Sequence, residues 1–230
     1  MDPEARRLPM FPLSTVLYPS CPLPLHVFEE RYRRLVADCL GEAGHGGGGR
    51  GGIGGGGGGG HFGVVLIARG PEVGGGDERF GVATEAVIEE AEPLPDGRWY
   101  LLCRGRRRIR VVRWLDDDPY PLAEVVDVPG ASGPSEVAER TAGRRVEAEA
   151  AVRRVRALLS EWGEVPALAP GHVFGGDDED AGWALCTAVP LPVLDRQRLL
   201  EAPTTAERLT LLTSLVGELE EDVRRMLSGS

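Results

Sequence analysis

Between Leu8 and Leu40 the apolar residues change their spacing twice. Met10, Phe11 and Leu13 make a short apolar stretch that reads as a strand. Pro19, Pro22 and Pro24 then each remove a backbone donor and push the preceding residue away from helix, so this stretch runs extended. From Phe28 onward Tyr32, Leu35, Val36, Cys39 and Leu40 follow helical spacing, and Gly41 stands where a C-terminal cap belongs. After a glycine tract, His61–Ala68 is a continuous apolar run, as expected of a buried strand. Phe80–Glu90 alternates, with Val82, Ala86 and Ile88 on one face and Glu85 and Glu89 on the other. Asp96-Gly97 supplies the positive φ of a tight hairpin, followed by a long strand over Arg98–Arg113 and a last one over Leu122–Val128. Strands at short spacing with one helix among them predict a compact, mostly antiparallel β domain over residues 1–129.

Residues 130–230 follow a different period. Gly130–Ser135 reads as a linker. Ala148, Val152, Val155, Leu159 and Trp162 form one helical stripe within Glu136–Trp162. A loop carrying Asp177, Asp178, Glu179 and Asp180 leads to a short helix holding Trp183, Leu185 and Val189. Asp195 is placed to cap a second short helix through Leu200. Thr204 and Glu207 form a capping box that opens the last helix, with Leu209, Leu212, Val216, Leu219, Val223 and Met226 along its stripe. The expectation is an α+β chain: a β domain, then a helical bundle packed against it.

Composition narrows the chemistry. All 26 basic residues are arginine. Without lysine there is no Walker A lysine, no Ser–Lys dyad and no Schiff-base nucleophile. The net charge of −10 argues against general affinity for nucleic acid or anionic membrane. No apolar run reaches the roughly 18 residues of a membrane span, and MDPEARR is followed by no apolar signal core, so the expected location is cytoplasmic. Cys21, Cys39, Cys103 and Cys186 are scattered and read as buried thiols rather than metal ligands. His45 and His61 flank the tract Gly41–Gly60 without ligand partners at metal spacing, and the tract reads as a mobile loop. Neither a metal nor a cofactor is expected.

Several blocks together carry a family likeness. They are FPL, VLYP and LPLHVFEERY near the start, FGVVLIARG (Phe62–Gly70), GVATEAVI (Gly81–Ile88), LPDGRWYLLCRGRRRIRV (Leu94–Val111), DPYPLAEV (Asp118–Val125) and VPLPVLDRQRLLEAPTTAERL (Val189–Leu209). In this order they resemble the Lon protease N-terminal domain family over nearly the whole chain, apart from the glycine tract and the acidic loop. The resemblance implies a PUA-like β domain, a following helical subdomain and non-catalytic recognition of polypeptide. It also implies unfolded or extended segments as partners, with a protease or chaperone as an associate. A stand-alone recognition domain without ATPase or peptidase activity is the resulting expectation.

Two candidate surfaces compete. Strand alternation places Arg104, Arg106, Arg108 and Arg110 on one face and Trp99, Leu101, Cys103, Ile109 and Val111 on the other. That row would grip phosphate or RNA, unless Glu85 and Glu89 neutralise it across the sheet. For capture of an unfolded segment, Phe11 and Tyr18 are the expected anchors on an exposed edge, with a groove at the joint between the two domains and Trp114 as an exposed aromatic. His26, beside Glu29 and Glu30, reads as a structural hydrogen-bonding residue rather than a general base.

Overall fold

In the computed structural model, residues 5–43, 59–70, 78–129, 135–161, 163, 165–169 and 171–228 are described. The chain divides into two units, Met1–Pro129 and Gly130–Ser230. The first unit is built from β1 (Arg6–Leu13), β2 (Pro22–Val27), α1 (Glu30–Ala43), β3 (His61–Arg69), β4 (Glu78–Arg79), β5 (Val82–Pro93), β6 (Trp99–Trp114) and β7 (Leu122–Asp127). The strand order is β1-β7-β6-β5-β3-β4, and β1 also pairs with β3, in parallel, which closes β1, β7, β6, β5 and β3 into a barrel. The other pairings are antiparallel. This is the PUA-like α+β fold that the resemblance implied.

Closure gives the sheet an inside and an outside. Leu8, Met10, Val65, Ala83, Ile109, Ala123 and Val125 fill the inside. Phe62, Val64, Ala86, Ile88, Leu101 and Cys103 face outward, where α1 covers them with Tyr32, Leu35, Val36 and Cys39. His61–Ala68 reads as a continuous apolar run because both faces of β3 are covered. Burial pushes the Cys103 thiol up to about 12.

β6 changes faces along its length. Arg107 pairs with Glu85 but Gly105 with Ala86, so Arg106 is an extra residue, a β-bulge. The bulge shifts the alternation by one. Leu101 and Cys103 therefore belong to the cluster under α1, whereas Ile109 and Val111 belong to the barrel interior. The sequence pattern had placed all four on one face.

Before β2 the chain packs tightly against the barrel. Thr84 Oγ1 donates to the Leu17 carbonyl at 2.6 Å. A Cβ at Gly105 would stand 2.2 Å from the Tyr18 carbonyl oxygen, so only glycine fits there. β2 is the proline-punctuated stretch, and it pairs with β6 through Leu25↔Leu101 and His26↔Tyr100. Since Pro22 and Pro24 have no N–H, the ladder donors are the residues between them, and the prolines take the positions turned to the unpaired edge.

The second unit contains α2 (Ser135–Glu161), α3 (Asp178–Thr187), α4 (Val193–Glu201) and α5 (Thr205–Ser228). Ala148, Val152, Val155 and Leu159 of α2 are buried, as are Leu209, Leu212, Val216 and Val223 of α5. Met226 is exposed, and Trp162 lies outside the described residues, as does most of the glycine tract. The capping box is made: Glu207 N–H donates to Thr204 Oγ1 and Thr204 N–H to Glu207 Oε2, both at 3.1 Å. The acidic loop is in part a helix start, because Asp177 caps α3 by accepting from the N–H groups of Glu179 and Asp180. Asp195 caps nothing; it lies in the first turn of α4 and binds Arg198 at 2.7 Å. Arg145 and Arg153 of α2 donate to the Phe174 and His172 carbonyls and hold the segment before α3.

Candidate functional site

The anchors expected at an exposed edge are core residues. Phe11 stacks on Tyr32 with ring centroids 4.1 Å apart and is buried, which ties α1 to the barrel. Tyr18 is 1 % exposed. The physical reason is that β1 is built into the barrel, pairing with β7 over Arg6–Pro9 and with β3 over Met10–Leu13, and that the chain after it packs on β6, where the Tyr18 carbonyl meets Gly105. Trp114 is half-buried against the barrel interior, with the Arg79 guanidinium 4.5 Å from its ring centroid. It is not the exposed aromatic that was expected.

The arginine row is divided by the bulge. Arg108 is 3 % exposed and pairs across the sheet with the buried Thr84, whereas Arg104, Arg106 and Arg110 are exposed. Arg104 binds Glu89 in a two-pronged ion pair at 2.5 and 3.2 Å. Glu85 turns instead to the end of the barrel. Its carboxylate, buried at 3 % exposure, accepts from Arg6 at 3.0 Å and Arg107 at 2.5 Å, with His61 Nδ1 at 3.3 Å and Arg106 at 4.0 Å. Asp127 receives the second prong of both Arg6 and Arg107 at 2.5 Å. Arg6, His61, Glu85, Arg107 and Asp127 come from five strands and form one charged layer above the apolar interior. Burial, opposed by Glu85, holds the His61 imidazole below its ordinary value. The four arginines therefore do not form one basic surface.

An open aromatic surface lies elsewhere. β5, β6 and β2 extend past the barrel as a three-stranded arm in which Glu92↔Tyr100↔His26 and Glu90↔Leu102↔Pro24 form rows across the strands. One face of the arm, carrying Leu25, Leu101 and Ala91, packs on the core. The other is open. His26 stacks on Tyr100 at 4.7 Å between centroids, and Phe28 lies 6.2 Å from His26. Tyr100 is 50 % exposed and Phe28 54 %. A groove of about 500 Å³ runs along this face, lined by Pro24, His26, Glu90, Glu92, Tyr100 and Leu102 among others. A groove of about 770 Å³ between α2 and α5, with Arg144, Glu147, Thr210 and Leu211 in its walls, has no aromatic ring.

His26 is thus an exposed, ring-stacked residue, not a hydrogen-bonded turn residue. Phe28 precedes α1 rather than joining its buried stripe. Tyr100 was missed. Its signal was that Tyr100 and Leu102 put apolar bulk on the row opposite Leu101 and Cys103, where an outward row should be polar. Among the described residues no three His, Cys, Asp or Glu side chains gather to hold a metal, and no helix is long and apolar enough to cross a membrane.

The first unit is a closed barrel that carries an aromatic face open to solvent, and the second is helical. The chain belongs to the LON substrate-binding domain family: the model for the ATP-dependent protease La (LON) substrate-binding domain matches residues 7–218. It is 26 % identical over 220 residues to Lon protease 2 of Herpetosiphon aurantiacus, which covers 92 % of this chain and 24 % of that protein. It is 23 % identical over 227 residues to a LON peptidase N-terminal domain and RING finger protein of Schizosaccharomyces pombe, covering 93 % of this chain and 46 % of that one. The chain therefore spans about a quarter of the length of the Lon proteases it matches. Among solved structures, a Lon N-terminal domain protein from Xanthomonas campestris superposes with a TM-score of 0.55 at 27 % identity, over 90 % of this chain and 97 % of that one. The N-terminal domain of Mycobacterium avium complex Lon protease gives the same TM-score at 17 % identity, covering 92 % and 98 %, and shares the fold. Family membership supports a role in substrate recognition.

Proposed function

We propose that this protein captures extended or unfolded polypeptide segments on the open face of the β2–β6–β5 arm, without catalysis, and presents them to a protease or chaperone in the cytoplasm. The observation that carries the reading is the exposed cluster of His26, Phe28 and Tyr100 over a groove, backed by the packed core beneath the same strands. Exposed aromatic rings in a contiguous patch mark an interaction site, and unfolded chains differ from folded ones by their exposed apolar side chains. Capture is by side chains rather than by strand addition, since Pro22 and Pro24 remove donors from the unpaired edge of β2. The second reading, RNA binding by the arginine row, loses support from the burial of Arg108 and the Arg104–Glu89 pair.

The test is fluorescence anisotropy with a labelled, reduced and carboxymethylated protein as an unfolded probe. Tyr100→Ala and Phe28→Ala, each first shown folded by circular dichroism, should weaken binding roughly 5- to 100-fold, the range for loss of an aromatic anchor. A folded Tyr100→Ala protein that binds the probe with unchanged affinity removes this face from consideration.

A further inference from the structure

The groove is asymmetric. On the β2 and β6 side its floor is Pro24, His26, Tyr100 and Leu102; on the β5 side both rows end in a carboxylate, Glu92 beside Tyr100 and Glu90 beside Leu102. Both glutamates are exposed, and among the described residues neither carboxylate has an ion-paired or hydrogen-bonded partner. Glu89, just before them, is the extra residue of a second bulge in the β5–β6 ladder, and it is spent on Arg104. Past the bulge the pairing is regular, so Glu90 and Glu92 stand two residues apart on the groove side, about 6.5 Å along the strand, which matches alternate side chains of an extended chain. Arg98, in the turn just before β6, is held by Asp96 at 2.7 Å.

We infer that Glu90 and Glu92 set the client preference of this face: its occupant is an extended apolar segment flanked by arginine or lysine, and acidic segments are turned away. The inference rests on the reading of the arm as the polypeptide-binding face. An aromatic or aliphatic client side chain lies on the Tyr100–His26 stack. A basic residue one or two positions away meets the carboxylates at the groove wall. Like charge at the same place opposes binding, so the acidic wall acts by exclusion as well as by attraction.

The experiment uses three labelled twelve-residue peptides that share one apolar core with a central phenylalanine and differ only in flanks of arginine, glutamine or glutamate. Dissociation constants are measured by anisotropy on the full chain. The arginine-flanked peptide should bind roughly tenfold tighter than the glutamate-flanked one at low salt, with the ratio falling as salt rises. In Glu90→Gln/Glu92→Gln the ratio should fall to within about twofold while affinity for the glutamine-flanked peptide holds. Because the whole chain is acidic, Glu218→Gln/Glu221→Gln on α5 serves as a control with the same change in net charge, and its ratio should stay at the wild-type value. An unchanged ratio in the β5 variant, or an equal fall in the α5 control, overturns the inference. If the wild type binds the glutamine-flanked peptide in a Tyr100-dependent way yet does not discriminate by charge, only the inference fails. If Tyr100→Ala leaves all three affinities unchanged, the reading of the face fails, and the inference with it.

Discussion

Replacing Glu85 by glutamine isolates the charged layer at the end of the barrel. The change keeps shape and one acceptor oxygen but removes the charge that Arg6 and Arg107 share and that His61 and Arg106 approach. Removing one partner of a buried ion pair costs about 3–5 kcal/mol. Here the cost is smaller, since the Arg6 and Arg107 side chains are 27 % and 39 % exposed and both keep Asp127. We expect about 2–3 kcal/mol, the weight of one to two hydrogen bonds to a charged group. Native-state amide hydrogen exchange over β5 and β6 reads this directly, without interference from the helical unit. Exchange from globally opening amides there should quicken roughly 30- to 150-fold, as each 1.4 kcal/mol is tenfold. Acceleration below about threefold would refute the reasoning, and would mean that Arg6 and Arg107 are served by Asp127 and water alone.

The pH dependence follows from His61 in the same layer. Its folded value lies below 6.5 through burial, so the unfolded chain binds the proton more readily; stability is complete above pH 6.5 and falls as pH drops from there toward the folded value. Thermal melts between pH 8 and 5 should show this slope, and His61→Gln should flatten it. Gly105→Ala should be severely destabilising, as the new Cβ meets the Tyr18 backbone oxygen at 2.2 Å. Gly63→Ala meets the flexible Met10 Sδ at 2.4 Å, so it should cost only about 1–3 kcal/mol; urea unfolding that ranks the two equally would contradict the packing described. Arg106→Ala should cost less than about 1 kcal/mol and Arg108→Ala about 1–3 kcal/mol, since the first is exposed and the second buried; denaturant midpoints decide.

The strands, α1 and the long helices were legible because each buries one continuous stripe or run, and His61–Ala68 or Leu209–Val223 can be read without knowing what covers them. The capping box was legible because it is local, Thr204 and Glu207 being three residues apart. The face reached by Arg108 was not. It depends on the extra residue at Arg106, and a bulge is a relation between two strands that neither strand shows by itself. Phe11 and Tyr18 were misplaced for a related reason: the burial of Phe11 depends on closure of β1 onto β3, about fifty residues away, and that of Tyr18 on packing against β6 at Gly105. The aromatic face was half legible, since β6 carried bulky apolar residues on both rows, but only pairing with β2 brings His26 onto Tyr100.

The charged layer has a consequence for how the barrel finds its alignment. Side chains alternate every residue, so a strand that slides by one position swaps its inside for its outside. A slide of β5 by one would carry Glu85 out of the layer and bring Thr84 or Ala86 into it, leaving Arg6 and Arg107 to share Asp127 alone. The same holds for β1, β3, β6 and β7, each of which delivers one polar member at the same level. A strand that is apolar on both faces, as β3 is over Phe62–Leu66, would lose little by such a slide, because one aliphatic side chain substitutes for another. A ring of paired charges does not tolerate it, and so the layer acts as a combination lock: five strands must each stop at the right residue before the end of the barrel can close.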